Sequence, residues 1–518
     1  MRCSISLAIT VLGWQISVVH ALSSLAVDTT SGRAYGMVNG SNPGVAQFLG
    51  VPYGEAPVGS LRFRAPEAKK PVDLIDATKS GPICPQYWVD NATLYPNIYS
   101  IDEPWLQPSP GWSEDCLNLN IWAPYSTQAN GTDLLPVIIW IFGGGFYEGG
   151  TNTPGMDASY WVQRSQEHIV VAMNARTNIF GFPNSKGLSK VDENVNVGLL
   201  DQRLAIEWVR DNIAAFGGNS SQMVVWGQSS GSASTDYLNY AYPEDPIVKG
   251  FIQHSGSVFA TGESKDPEML NFTSVAQNVG CGNLSSEDEL YCMQHNASAS
   301  DIVQYYQNYN IAHTEGQLSF TTIVDGITKF SNYTERALAG NFSKLPVICG
   351  TNAHETASLI DWPFPEGPNM TDIAITTLSK QQCPLNYNTD LRAQLNVTTF
   401  RYYNNASFPN ISPGWWEGAY HTSELPLIFG TFSVYGNVSA TPLEHATSAK
   451  WQDLYVAFAR DPENALPALG WPAYNPKGQA WMWNPKNRNG STLAVSKLIP
   501  AQSLISPCNN ISWSIMTP

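Results

Sequence analysis

The stretch that decides how this chain folds is VVWGQSSGSAS, Val224–Ser234. The apolar residues Met223–Trp226 read as a buried strand, and Gly227-Gln228-Ser229-Ser230-Gly231 follows at once. A helix is expected next. Gly-x-Ser-x-Gly between a strand and a helix is the spacing of a sharp elbow, with the central serine exposed on a strained turn. The flanking glycines let strand and helix pack closely. Only Ser229 occupies the centre, so it is the candidate nucleophile. The main-chain N–H of Ser230 is a candidate oxyanion donor. A Ser/Gly-rich turn without chemistry is the competing reading, and the buried strand directly before the motif argues against it.

Working outward, Leu135–Phe146 (LPVIIWIFGGGF) is an unbroken apolar run that ends in three glycines. It predicts a strand buried on both faces, feeding a loop where main chain approaches a ligand closely. Gly144 and Gly145 are the candidate oxyanion donors there. Ile169–Ala175 reads as another strand, and so do KGFIQHSGS and KLPVICGTNAHE. Leu199, Leu200, Leu204, Ile206, Val209 and Ile213 fall near helical spacing, with Gly217-Gly218 as the stop. Strands alternating with helices predict an α/β chain with a mostly parallel central sheet. Functional groups are then expected at the carboxyl ends of its strands. No Pro/Ser-rich linker divides residues 22–518, which read as one large catalytic domain with long excursions.

The chain has 518 residues, 43% of them hydrophobic and 14% charged, which is ample for a large core. The formal net charge is −16, and no basic block is present. That speaks against a nucleic acid or an anionic membrane as partner. MRCSISLAITVLGWQISVVHALSS reads as a secretory signal peptide over residues 1–21, cut after Ala21. A membrane anchor is the rival, but the apolar run is short and broken by Gly13, Gln15 and Ser17. NNISWSIMTP at the C-terminus has neither an apolar tail for a lipid anchor nor a retention signal. Sixteen Asn-x-Ser/Thr sequons add the expectation of N-linked glycans on a secreted, extracellular protein. Of eight cysteines, Cys3 leaves with the leader. The remaining seven cannot all pair within one chain. No Cys-x-x-Cys occurs, so zinc and redox motifs have no support.

Several segments together resemble the type-B carboxylesterase/lipase family, which includes cholinesterases and secreted fungal esterases and lipases. FLGVPYGEAPVGSLRFRAP is similar to its N-terminal block, and SEDCLNLNIWAP (Ser113–Pro124) to its second signature. IWIFGGGFYEGG resembles the oxyanion-hole segment, and NVGLLDQRLAIEWVRDNIAAFGGN the segment before the elbow. The resemblance implies an α/β-hydrolase fold and a small-molecule ester substrate, with no cofactor and no metal. GTNAHETASLI is similar to the acid segment and GAYHTSELPLIFG to the histidine segment. These place Glu355 and His421 with Ser229 in the chain order the fold requires. Ser255, in QHSGS, matches a position that supports the acid. His254 and His354 stand beside Ser255 and Glu355 but read as structural histidines, because neighbours along an extended strand point opposite ways.

The resemblance pairs Cys84 with Cys116 and Cys281 with Cys292. Cys383 and Cys508 are read as a third pair. Cys349, inside the apolar LPVICG, is the expected free thiol. The Cys84–Cys116 loop carries Tyr87, Trp88, Tyr95, Tyr99, Trp105 and Trp112, with Asp90, Asp102 and Glu103. In lipases of the family this loop is a mobile lid, and in esterases it is a wall of the gorge. The acids and prolines favour a wall. Gln228, Trp105 and Phe146 are the candidate substrate-pocket residues. Many relatives have Glu where this chain has Gln228, and Ala where it has Ser230. Trp105 lies near the place of the cholinesterase choline-binding tryptophan. The expected function is a secreted serine esterase for uncharged esters of small to medium acyl size. A true lipase is the first alternative, and a non-catalytic adhesion protein of the same fold is the second.

Overall fold

This computed structural model describes residues 22–87, 111–126, 133–192, 194–262, 264–313, 315–359, 368–434, 438–484, 486 and 494–515. The signal-peptide reading of residues 1–21, the pocket candidate Trp105 and the lid-or-wall reading of the Cys84–Cys116 loop tip lie outside them. In chain order the strands begin with β1 (Ala26–Thr29), β2 (Gly32–Tyr35), β3 (Met37–Val38), β4 (Val45–Pro52) and β5 (Val72–Asp76). They continue with β6 (Asn118–Pro124), β7 (Leu135–Ile141), β8 (Ile169–Met173), β9 (Gly218–Gln228) and β10 (Gly250–His254). The last four are β11 (Val347–Asn352), β12 (Thr399–Asn404), β13 (Gln479–Trp483) and β14 (Ser496–Pro500).

β1, β2 and β5 form a small sheet. The other strands form an eleven-stranded sheet in the order β14-β13-β12-β11-β10-β9-β7-β8-β6-β4-β3. From β13 to β8 every pairing is parallel. β14 on one edge and β6, β4 and β3 on the other are antiparallel. This is the α/β-hydrolase arrangement, with the parallel block at its centre.

The unbroken apolar runs have a simple cause. A parallel strand covered by helices on both faces has no wet side, so its middle reads as a near-continuous apolar run. In β7, Val137, Ile139 and Ile141 enter one core with Val225 and Cys349. Ile138 and Trp140 enter the opposite core with Val224, Trp226, Ile252 and Ile348. That second core is built on indoles. Trp451 stacks on Trp483 at 4.3 Å, and Trp140 meets Trp226 at 4.1 Å.

The helix before the elbow runs Val197–Asn212 and tightens into a 3-10 turn over Ile213–Phe216. Gly217, at φ +85°, ends it where the sequence placed the stop. Buried in this helix, Asp201 takes two hydrogen bonds from the Arg176 guanidinium, at 2.9 and 2.7 Å. Three disulfides join Cys84 to Cys116, Cys281 to Cys292, and Cys383 to Cys508. Cys349 is free on β11, and burial pushes its thiol up to about 11. Among the described residues no helix is long and apolar enough to cross a membrane.

Candidate active site

The parallel strands β7, β9, β10, β11 and β12 end along one edge of the sheet. Each end delivers a candidate group. Gly143–Gly145 follow β7, Ser229 follows β9, Ser255 follows β10 and Glu355 follows β11. The excursion after β12 returns with His421.

At the elbow, Ser229 takes φ 58° and ψ −125°. Two hydrogen bonds hold it there. Its N–H donates to His254 O at 2.8 Å, and its carbonyl accepts from Ala233 N–H at 3.0 Å. The flanking glycines are required by space. A Cβ on Gly227 would stand 2.2 Å from Gly231 O, and one on Gly231 would stand 2.2 Å from Ile141 O. A non-glycine residue in such a region costs about 1–3 kcal/mol and persists only when its surroundings over-determine it. Ser255 (φ 54°), Phe146 (φ 68°) and Thr422 (φ 81°) are strained in the same sense. Ser230 opens the helix Ser230–Ala241, whose first N–H groups have no partner within the helix.

The acid and the histidine meet each other closely. His421 Nδ1 is 2.6 Å from Glu355 Oε2, and both side chains are buried. The other carboxylate oxygen, Oε1, accepts from Ser255 Oγ at 2.5 Å and from Asn352 N–H at 2.6 Å. With Nδ1 engaged by the carboxylate, Nε2 is the ring nitrogen on the side of Gln228. Gln228 is buried directly below, with its amide nitrogen 3.1 Å from that Nε2.

The glycine loop lies against the serine. A Cβ on Gly143 would sit 2.9 Å from Ser229 Cβ. Gly144 (φ +112°) and Gly145 (φ +65°) then take conformations that side chains resist. The loop is fastened from outside. The Gln86 side chain exchanges two hydrogen bonds with the Gly149 main chain, at 2.9 and 2.8 Å. Asn178 N–H donates to Phe146 O at 2.7 Å. The Phe146 ring packs edge-on against Phe182 at 5.4 Å. Burial pushes the Glu148 carboxyl up to about 8, so at neutral pH its protonated form predominates.

Sequence reasoning missed two residues, Asn352 and Glu424. Besides its main-chain bond to Glu355, Asn352 donates from Nδ2 to Tyr420 O at 2.7 Å and to Glu424 Oε2 at 2.5 Å. Glu424 Oε1 lies 3.2 Å from His254 Nδ1, and His254 Nε2 lies 2.5 Å from Tyr455 Oη. Burial alone would raise the Glu424 carboxyl. Its bonds to His254 and Asn352 outweigh burial and hold it below the ordinary value. The signal was in the sequence: a lone acid in the apolar HTSELPLIFG, three residues after His421. His354 instead faces Trp416 O at 3.2 Å. Both competing histidines therefore bond elsewhere. Among the described residues no group of three or more His, Cys, Asp or Glu could hold a metal ion.

A sheet of this order with a serine elbow on a central strand defines an α/β-hydrolase. Residues 23–404 match the carboxylesterase family, and the chain belongs to it. It is 40% identical over 475 residues to secreted lipase 5 of Gibberella zeae, spanning 87% of this chain and 88% of that protein. It is 42% identical over 470 residues to the chlorogenic acid esterase of Aspergillus niger, spanning 90% and 89%. The para-nitrobenzyl esterase of Bacillus subtilis is 30% identical over 485 residues, spanning 85% and 91%. The chain is accordingly a carboxylic ester hydrolase. The family match ends at residue 404, ahead of His421, so the place of the histidine rests on the geometry.

Proposed function

We propose that Ser229, Glu355 and His421 are the catalytic triad of a secreted esterase for uncharged esters of small to medium acyl size. One observation carries the reading: His421 Nδ1 lies 2.6 Å from Glu355 Oε2, while its Nε2 lies 3.1 Å from the Gln228 amide nitrogen at the elbow. His421 takes the Ser229 proton as Oγ attacks the ester carbonyl. The N–H groups of Ser230, Gly144 and Gly145 receive the developing oxyanion. His421 then returns the proton to the leaving alcohol, and water releases the acid from the acyl-enzyme. Glu355 orients the imidazole and balances its charge.

The preference for uncharged esters is supported by Gln228, a neutral amide beside His421 where many relatives carry a carboxylate. A cationic headgroup finds no negative charge at that position. Secretion and N-glycosylation belong to the same proposal, supported by the sequons and by the secreted Gibberella relative. That relative's name also favours a second reading, a lipase working at an oil surface. Initial rates on soluble short-chain esters and on emulsified triacylglycerol separate the two. The esterase reading expects the soluble esters to be preferred with no jump at the solubility limit. A sharp rise on emulsion would overturn it.

A further inference from the structure

Gln228 touches the nitrogen that must move the proton. Its amide nitrogen lies 3.1 Å from His421 Nε2, in a buried setting. Its amide oxygen is turned away, toward Gly143, where a Cβ would meet it at 2.7 Å. Nδ1 of the same ring is committed to Glu355 at 2.6 Å. In the neutral ring Nε2 is therefore the acceptor, and the Gln228 N–H is a donor aimed at it. Once Nε2 is protonated, two donors face each other. That opposition disfavours the imidazolium relative to the imidazole.

We propose that Gln228 is a positioning residue that favours the neutral form of His421 by donating a hydrogen bond to Nε2. This rests on the triad reading above and adds a role to it. The amide competes with the Ser229 hydroxyl for one lone pair in the resting enzyme. It also makes the imidazolium, once formed, readier to pass its proton to the leaving alcohol. A carboxylate at this position would do the opposite and attract the imidazolium. Other charged and titratable groups tied to this cluster include Glu355 on Nδ1, the Glu424–His254 pair reached through Asn352, Tyr402 and Tyr403 in the field of Glu355, and Glu417 and Tyr420 on the segment of His421 itself. All of them stay constant in the comparison that follows.

The test is the acid limb of the kcat/KM profile on one neutral soluble ester, for the wild type, Gln228→Met and Gln228→Glu. Removing the donor is expected to move the limb up by about 0.5–1 pH unit, the scale of one net hydrogen bond. Gln228→Glu is expected to move it further in the same direction. Gln228→Leu repeats the removal should the methionine variant fold poorly. A limb that stays in place, or moves down on removal of the amide, overturns the inference. Ser229→Ala, run alongside, separates the failures. If it retains turnover, the triad reading itself is wrong. If it is inactive and the Gln228 variants share the wild-type limb, only the role of Gln228 fails.

Discussion

The core of this enzyme holds two carboxylate–histidine pairs that differ mainly at one nitrogen. Glu355–His421 and Glu424–His254 are both buried, and Asn352 bonds to both carboxylates. In each pair the acid takes Nδ1. The difference lies at Nε2. For His254 that nitrogen is closed by the Tyr455 hydroxyl at 2.5 Å, inside a wall of Tyr402, Trp226 and Trp451 rings. For His421 it faces Gln228 and the half-buried elbow. A histidine–acid pair alone is therefore a structural device. On the proposed triad it would serve as a base only where its second nitrogen reaches the nucleophile, and His254, closed by Tyr455, and His354, turned to Trp416 O, are both engaged elsewhere.

The largest expected effect separates the two pairs. Glu355→Gln should lower kcat by about 10⁴-fold, because the imidazole loses its tautomer and its counter-charge. Glu424→Gln should leave kcat within about tenfold while lowering the melting temperature, since it leaves a buried polar cluster imperfectly satisfied. Steady-state rates on a soluble ester, with thermal melts of the same samples, check both. Equal losses of kcat in the two variants would erase the distinction.

Next in size is Gly144→Ala. At φ +112° a Cβ there would stand 2.2 Å from Glu148 O, so the loop must shift and its oxyanion donor with it. A loss of about 10²–10³-fold in kcat is expected, the range for one missing donor, with KM little changed. A change confined to KM would place the loop in substrate binding instead.

Ser255→Ala is smaller. It removes one of two hydrogen bonds on Glu355 Oε1, and a bond to a charged group is worth roughly 1.5–3 kcal/mol. A loss of kcat of about tenfold or somewhat more is expected, with Ser255→Thr recovering part of it. An unchanged kcat would leave the Asn352 N–H as sufficient support for the acid.

The smallest effect is on stability against pH. The Glu424 carboxyl is held below its ordinary value in the folded chain. Its contribution is thus fully present above the unfolded carboxyl value of about 4.3 and is lost as pH falls through the lower folded value. Melting temperatures of the wild type should fall across that acid range. Glu424→Gln should flatten part of the fall. Parallel curves would mean that the pair adds nothing pH-dependent.

Much of this was legible in the sequence, for physical reasons. β7, β9, β10 and β11 announce themselves because strands buried on both faces carry apolar runs at their centres. The elbow is legible because its glycines are demanded by contacts of 2.2 Å. Glu355 and His421 carry no such local signature. They are brought together from residues 66 apart in the chain, and only resemblance to a family placed them. Asn352 and Glu424 escaped because their roles exist only across β11, β12 and the loop before Glu424. Gln228 was read as a neutral floor. Its contact with Nε2 depends on a side-chain direction that spacing does not encode. The antiparallel edge strands β3 and β14 are short or half-exposed, and so lack the unbroken apolar run that marks the centre.

On the proposed triad Ser229, and not its neighbour Ser230, is the nucleophile. Intact and peptide mass spectrometry after treatment with a serine-directed alkyl phosphonate tests it most directly. The account predicts one adduct, carried by Ser229. It predicts no adduct in Ser229→Ala, and full labelling in Ser230→Ala, whose main-chain donor remains. Labelling that survives in Ser229→Ala, or an adduct on Ser230, would contradict it.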